Sequence, residues 1–172
     1  MRVSTDTKIL MLAHEKDWEF LKGVLRHLDG VSPSDVTVFT AKNIAVGADT
    51  EATIFSEFAN SNIVVFFISS HSFSDDFLYK LRSKAIEHHD EGRLDMVQVL
   101  ARSVISHDTK SVRGIKTIPK SPIAKSTDKD DDYIEVVEFI LYNIELVKAK
   151  FELLKAMFRI KQLEQEICEL QK

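Results

Sequence analysis

Cysteine is nearly absent from this 172-residue chain; Cys168 stands alone. One thiol excludes an internal disulfide framework and any zinc site built on several cysteines. Proline and glycine are scarce too, at 3 and 5 residues, which excludes collagen-like and low-complexity classes. Positive charge is not in excess. The net charge is −4 and the pI about 5.9, so the chain as a whole has no pull toward nucleic acid or anionic lipid. Long hydrophobic runs are missing as well. The longest, Ile63 to Ile68, falls far short of the ~20 residues that span a bilayer. Met1-Arg2-Val3-Ser4-Thr5-Asp6 holds no apolar stretch of the secretory kind, and a cytoplasmic, reducing location is expected. What is present is the composition of a globular protein, 44 % apolar and 29 % charged. The length suits one domain with an extension.

Short apolar runs alternate with amphipathic stretches. Residues 8–13 read as a buried strand. Phe20, Leu21, Val24, Leu25 and Leu28 follow at helical spacing over 16–28, until Asp29-Gly30 stops that helix. Val36 to Phe39 is a β-branched strand. Asp49 caps a helix carrying Ile54, Phe55 and Phe58. Ile63 to Ile68, apolar on both alternating faces, reads as the central and most buried strand. Ser74-Asp75-Asp76 opens a helix to about His89, and Met96 to Leu100 is a fourth strand. A fifth, at the edge, is expected near 122–125, within a loop region over 103–131. Hairpin signals such as Asn-Gly are absent. The expectation is an α/β fold: a five-stranded parallel sheet in flavodoxin-like order, with helices on both faces. Functional residues in such sheets lie beyond the carboxyl ends of the strands, here 13–17, 40–48, 69–76 and 101–107.

From Asp132 to Lys172 there is neither Pro nor Gly. About 40 residues of helix would extend roughly 60 Å, more than a domain of this size covers. Ile134, Val137, Phe139 and Ile140 are expected to pack on the sheet. Ile144, Val147, Phe151, Leu154 and Phe158 continue at spacings of 3 and 4. After a phase slip, Ile160, Leu163, Ile167 and Leu170 do the same. A sustained apolar seam flanked by Lys and Glu signals a coiled coil or a helical hairpin. The division expected is 1–142 for the domain and 143–172 for a helical extension, with a homo-oligomer formed through Ile144, Val147, Phe151, Leu154, Phe158, Leu163 and Ile167.

Several segments, in their order and spacing, match those of a known family. The stretch from Lys8 through Asp17 to Phe20-Leu21 is similar to an opening box of apolar strand, Ser/Tyr/His stretch and Asp before Phe-Leu. Phe39 to Gly47 is similar to a second box, usually Asp-x-x-Ile-x-Pro-Gly, which forms the so-called BB loop. Ala59 to Ser70 matches Ala-Asp-Ile, a core strand and Ser. Lys84 to Gly92, Val97 to Arg102, Ile118-Pro119-Lys120 and Asp130 to Val137 match the later segments. Over residues 7–142 the chain resembles a bacterial TIR (Toll/interleukin-1 receptor) domain. The resemblance implies a signalling or scaffold module that acts by self-association or by TIR–TIR contact. Its interaction residues would be Lys42, Asn43, Ile44, Val46 and Gly47, and its ligand cleft His14, Ser69 and Asp76. The alternative is an NAD glycohydrolase of the prokaryotic defence or toxin type, for which NAD would be bound.

The departures from the family bear on that choice. NAD-cleaving members carry a Glu on the third helix, and the corresponding position falls within Tyr79 to Arg82, nearest Lys80. A carboxylate there stabilises the positive charge that develops on the ribose; a lysine repels it. Glu51, Glu57, Glu87 or Asp76 would have to substitute. Ala41 stands where Asp is common, Val46 where Pro is common, and polar positions near Ser106 and Ser126 where Trp is frequent. Trp18 is the only Trp. The missing acid favours association over catalysis, with no catalytic residue assigned and no cofactor expected.

Other candidates have plainer readings. Asp75 and Asp76 could form a carboxylate pair, but acids at a helix start suit the dipole. His88-His89-Asp90-Glu91 offers metal-ligand types, yet neighbouring residues point apart on a helix, and no metal site is expected. His14 could act as general acid or base, or be a loop histidine without a chemical role. Gly47 could serve a close approach or a simple turn. Lys110, Arg113, Lys116, Lys120 and Lys125 could attract an anion, but Asp128 to Asp132 offset them. Nucleic acid and membrane are not expected partners.

Overall fold

The computed structural model describes residues 6–105 and 115–170. β1 (Thr7–Leu12) passes through a 3-10 turn at Glu15–Asp17 into α1 (Trp18–Asp29). β2 (Val36–Thr40) is followed by a 3-10 turn at Ala41–Asn43 and by α2 (Thr50–Asn60). β3 (Ile63–Ile68) leads to the short α3 (Ser70–Ser74) and then α4 (Asp76–Asp90). β4 (Asp95–Leu100), β5 (Thr117–Ile118), a 3-10 turn at Ile123–Lys125 and α5 (Lys129–Leu170) complete the chain. The sheet order is β2-β1-β3-β4-β5 and every pairing is parallel. This is the flavodoxin-like order that the strand–helix alternation predicts.

The central strand is buried from end to end. Alternation of side chains explains how one run serves two layers. Ile63, Val65 and Phe67 join Ile9, Met11, Val97 and Val99 under α1 and α5. Val64, Phe66 and Ile68 join Leu10, Leu12 and Met96 under α2 and α4. Both faces are covered, which is why the strands read as continuous apolar runs. The caps follow the sequence: Asp49 accepts a hydrogen bond from the Ala52 amide at 3.0 Å, and Asp75 from that of Leu78 at 2.9 Å.

Two expectations are corrected. No strand occupies 122–125: Ile123–Lys125 forms a 3-10 turn, and the fifth strand is the two-residue Thr117–Ile118 beside Gln98 and Val99. Pro122 has no N–H for a ladder, while Ile123 reaches the core from the turn. The second correction concerns α5. Val137 and Ile140 face the sheet as expected and Phe139 packs partly against it, but Ile134 is 46 % exposed, and Tyr133 and Val136 take the inward places. Ile144 and Val147, expected on an oligomer seam, are buried in the same core cluster. The helix therefore stays on the domain past residue 142, and Phe151 still packs against that cluster. α5 runs unbroken for 42 residues, about 63 Å, so it does not fold back as a hairpin. Lys148 binds Asp35 at 2.7 Å and Lys150 binds Asp95 at 2.8 Å, tying α5 to the chain just before β2 and at the start of β4.

Among the described residues, no helix is long and apolar enough to cross a membrane.

Candidate functional site

The carboxyl ends of β1, β3 and β4 converge on one buried carboxylate. Asp17 follows β1 and is fully buried. Its Oδ2 accepts the Ser69 hydroxyl at 2.5 Å, from the residue just after β3. Its Oδ1 accepts Nε of Arg102 at 2.7 Å, from the segment just after β4. Arg102 also donates to the Lys16 carbonyl at 3.0 Å and to Glu19 at 3.2 Å, and its guanidinium lies over the Phe20 ring. A buried anion is tolerable only when paired and hydrogen-bonded, and here the ends of β3 and β4 supply its partners. Ser69 is further fixed by a reciprocal cap with Ser72 that opens α3.

Around this cluster lie half-buried rings and one exposed ammonium. The rings of His14 and His71 stack with centroids 5.5 Å apart. The His14 Nδ1 accepts the Lys16 amide at 3.2 Å. Trp18 lies beneath the Lys42 ammonium, 4.8 Å from the ring centroid. The Lys42 ammonium titrates below its ordinary value, through desolvation first and the charge of Lys22 second.

The segment from Ala41 to Asp49 stands out from the sheet edge. Asn43 Oδ1 accepts both the amide and the hydroxyl of Thr40, at 2.7 and 2.9 Å, which pins its base. Ile44 is half-buried and holds the segment to the core. Beyond it, Val46 is fully exposed. Gly47 adopts φ +89°, and a Cβ there would meet nothing within 4 Å. Its glycine answers turn geometry rather than close packing.

The sequence-derived cleft residues separate. His14 and Ser69 reach the carboxyl edge, and Asp76 is exposed in the first turn of α4. Lys80 is exposed one turn further on. α4 runs back against the strand direction, so Glu87, eleven residues after Asp76 and about 16 Å along the helix, lies toward the amino ends. Glu51 opens α2 on the exposed surface, and Glu57 is half-buried two turns later. None of these acids takes the place of Asp17 at the convergence of β1, β3 and β4. His88 packs on Phe58 and Glu91 pairs with Arg93. Among the described residues, no group of three potential ligands is placed to hold a metal. Lys116 lies over Phe139; Lys120 and Lys125 are exposed; Ser106, Lys110 and Arg113 lie outside the described residues.

Sequence reasoning missed the pairing of Asp17 with Arg102. Its signal was present: an acid just after the first strand and a base just after the fourth, both at the sheet edge where a buried charge needs its opposite. Three surface clefts of about 190, 230 and 240 Å³ adjoin α5 instead of this edge. The first is lined by Asn62, Leu94, Val147, Phe151 and Leu154 among others. No protein-family model and no curated protein matches this chain.

Proposed function

We propose that this protein is a TIR-like interaction module that works by association with itself or with another TIR-type domain, in the cytoplasm, without cleaving NAD. One observation carries the association. α5 leaves the domain after Phe151 and exposes Leu153, Leu154, Met157, Phe158, Ile160, Leu163, Ile167 and Leu170. Burial of each such side chain stabilises by roughly 1.5–3 kcal/mol, and so much exposed apolar surface marks a partner surface. The exposed Val46 and Gly47 segment offers a second contact region.

The state of the carboxyl edge supports the absence of chemistry. Asp17 already has Ser69 and Arg102 for partners, and the α4 segment that would supply the acid presents Lys80. Loss of one preorganised electrostatic partner costs about 10²–10³-fold in rate, and a cation in its place costs more. The test is nicotinamide release from NAD by concentrated full-length protein. We expect none above background. Nicotinamide and ADP-ribose that accumulate, and that disappear in Asp76→Ala or Glu87→Ala, would overturn the non-catalytic reading. A silent wild type with turnover gained in Lys80→Glu would support it.

A further inference from the structure

The two seams in the C-terminal sequence belong to two faces of one helix. Side chains turn by about 100° per residue. Ile144, Val147 and Phe151 point at the domain core. Leu146 projects about 160° away from Ile144 and is 37 % exposed. From it runs an unbroken repeat: Leu146, Ala149, Leu153, Ala156, Ile160, Leu163, Ile167, Leu170. The spacings are 3 and 4 throughout, which is the a/d pattern of a coiled coil. What looks like a phase slip in the sequence is the handover from the domain-facing stripe to this outer one.

We propose, resting on the self-association reading above, that two copies pair along this outer face as a parallel, in-register, two-stranded coiled coil. Three observations select that occupant. The distal heptads place Ile160 and Ile167 at a, with Leu163 and Leu170 at d, the combination that favours two parallel strands. Parallel register brings Arg159 at g to Glu164 at e of the second copy, twice per dimer. Within one chain Arg159 is held only loosely by Gln162, at 3.5 Å. An antiparallel pairing with the same full overlap would instead set Glu152 beside Glu166 of the second copy, and Arg159 beside Arg159. The like charges on this flank disfavour it, and the one opposite pair it offers, Lys150 with Glu164 on the other flank, uses a lysine already paired with Asp95 in its own chain.

The geometry has a consequence for signalling. The domain packs on the inner face of α5 and the seam lies on the outer one. The two sheets therefore sit on opposite sides of the paired helices with their carboxyl edges pointing the same way. Both Val46 segments are then offered in one direction, as a bivalent contact whose second binding event is intramolecular.

Cys168 falls at b, beside the seam rather than in it, so wild-type chains are not expected to cross-link. The test uses the full chain with Cys168→Ser and one cysteine added at a seam position. Leu153 is exposed and outside the core, so its replacement leaves the domain intact. Under mild oxidation, Leu153→Cys is expected to form a disulfide-linked dimer by itself. Leu163→Asp is expected to raise the dimer Kd about 100-fold or more, through two lost buried leucines per dimer. Cross-linking only when Leu153→Cys and Leu163→Cys chains are mixed would mean antiparallel pairing, which overturns the orientation and leaves self-association standing. A dimer insensitive to Leu163→Asp would place the contact elsewhere and overturn the seam alone. A monomer at all concentrations would overturn both.

Discussion

Asp17 and Arg102 lie 85 residues apart in the chain and meet at 2.7 Å across the carboxyl edge of the sheet. Asp17 is wholly buried, while the Arg102 side chain is about one-third exposed. Removing the exposed partner strands the buried charge. Arg102→Ala should therefore destabilise the fold by about 3 kcal/mol, at the low end for a broken buried pair. Ser69→Ala should cost about 1.5–3 kcal/mol, since a hydrogen bond to a charged group is lost. Urea unfolding monitored by circular dichroism measures both. Losses below half a kcal/mol would mean that water replaces these partners freely.

Gly23 of α1 lies against the Tyr133 ring of α5. A Cβ built there would lie 2.2 Å from the Tyr133 ring. Gly23→Ala gains helix propensity but collides with a buried aromatic, and overpacking of this kind costs about 1–3 kcal/mol. A fall of several degrees in Tm is expected. An unchanged or raised Tm would show that Tyr133 moves aside without cost.

Burial, followed by the nearby charges of Arg93 and Lys84 and opposed by Glu87, holds the His88 imidazole below its ordinary value. The unfolded chain then binds this proton more readily. The His88 contribution is complete above about pH 6.5 and is lost as pH falls through that value toward the folded one. Urea midpoints taken at about pH 7.5 and 5.5 should drop more in wild type than in His88→Gln. Equal drops would remove His88 from the acid sensitivity.

Much of this architecture is written plainly in the chain. The central strand, the Asp49 and Asp75 caps and the strand–helix alternation are local signals, and each lies where periodicity puts it. β5 escaped because two residues paired with Gln98 and Val99 leave no periodic trace. α5 is ambiguous through abundance: apolar residues on two faces blur a single phase, so the pattern points Ile134 inward where Tyr133 packs. The site was half legible. His14 and Ser69 follow from strand ends alone, whereas the Asp17–Arg102 pair depends on which strands are neighbours, a tertiary fact.

Val46 is exposed at a turn whose shape Gly47 sets. Val46→Asp should leave Tm unchanged, because a surface change away from packing stays within about ±0.5 kcal/mol. In concentrated samples it should reduce assemblies larger than a dimer, as judged by sedimentation velocity. The same size distribution in variant and wild type would remove this segment from the contact surface.

Association is the core of the account, and light scattering on the full chain across a concentration series tests it most directly. The mass should approach twice the 19.6 kDa of one chain in concentrated samples, and fall toward one chain on dilution or in Leu163→Asp. A mass of one chain for the wild type at every concentration would contradict it.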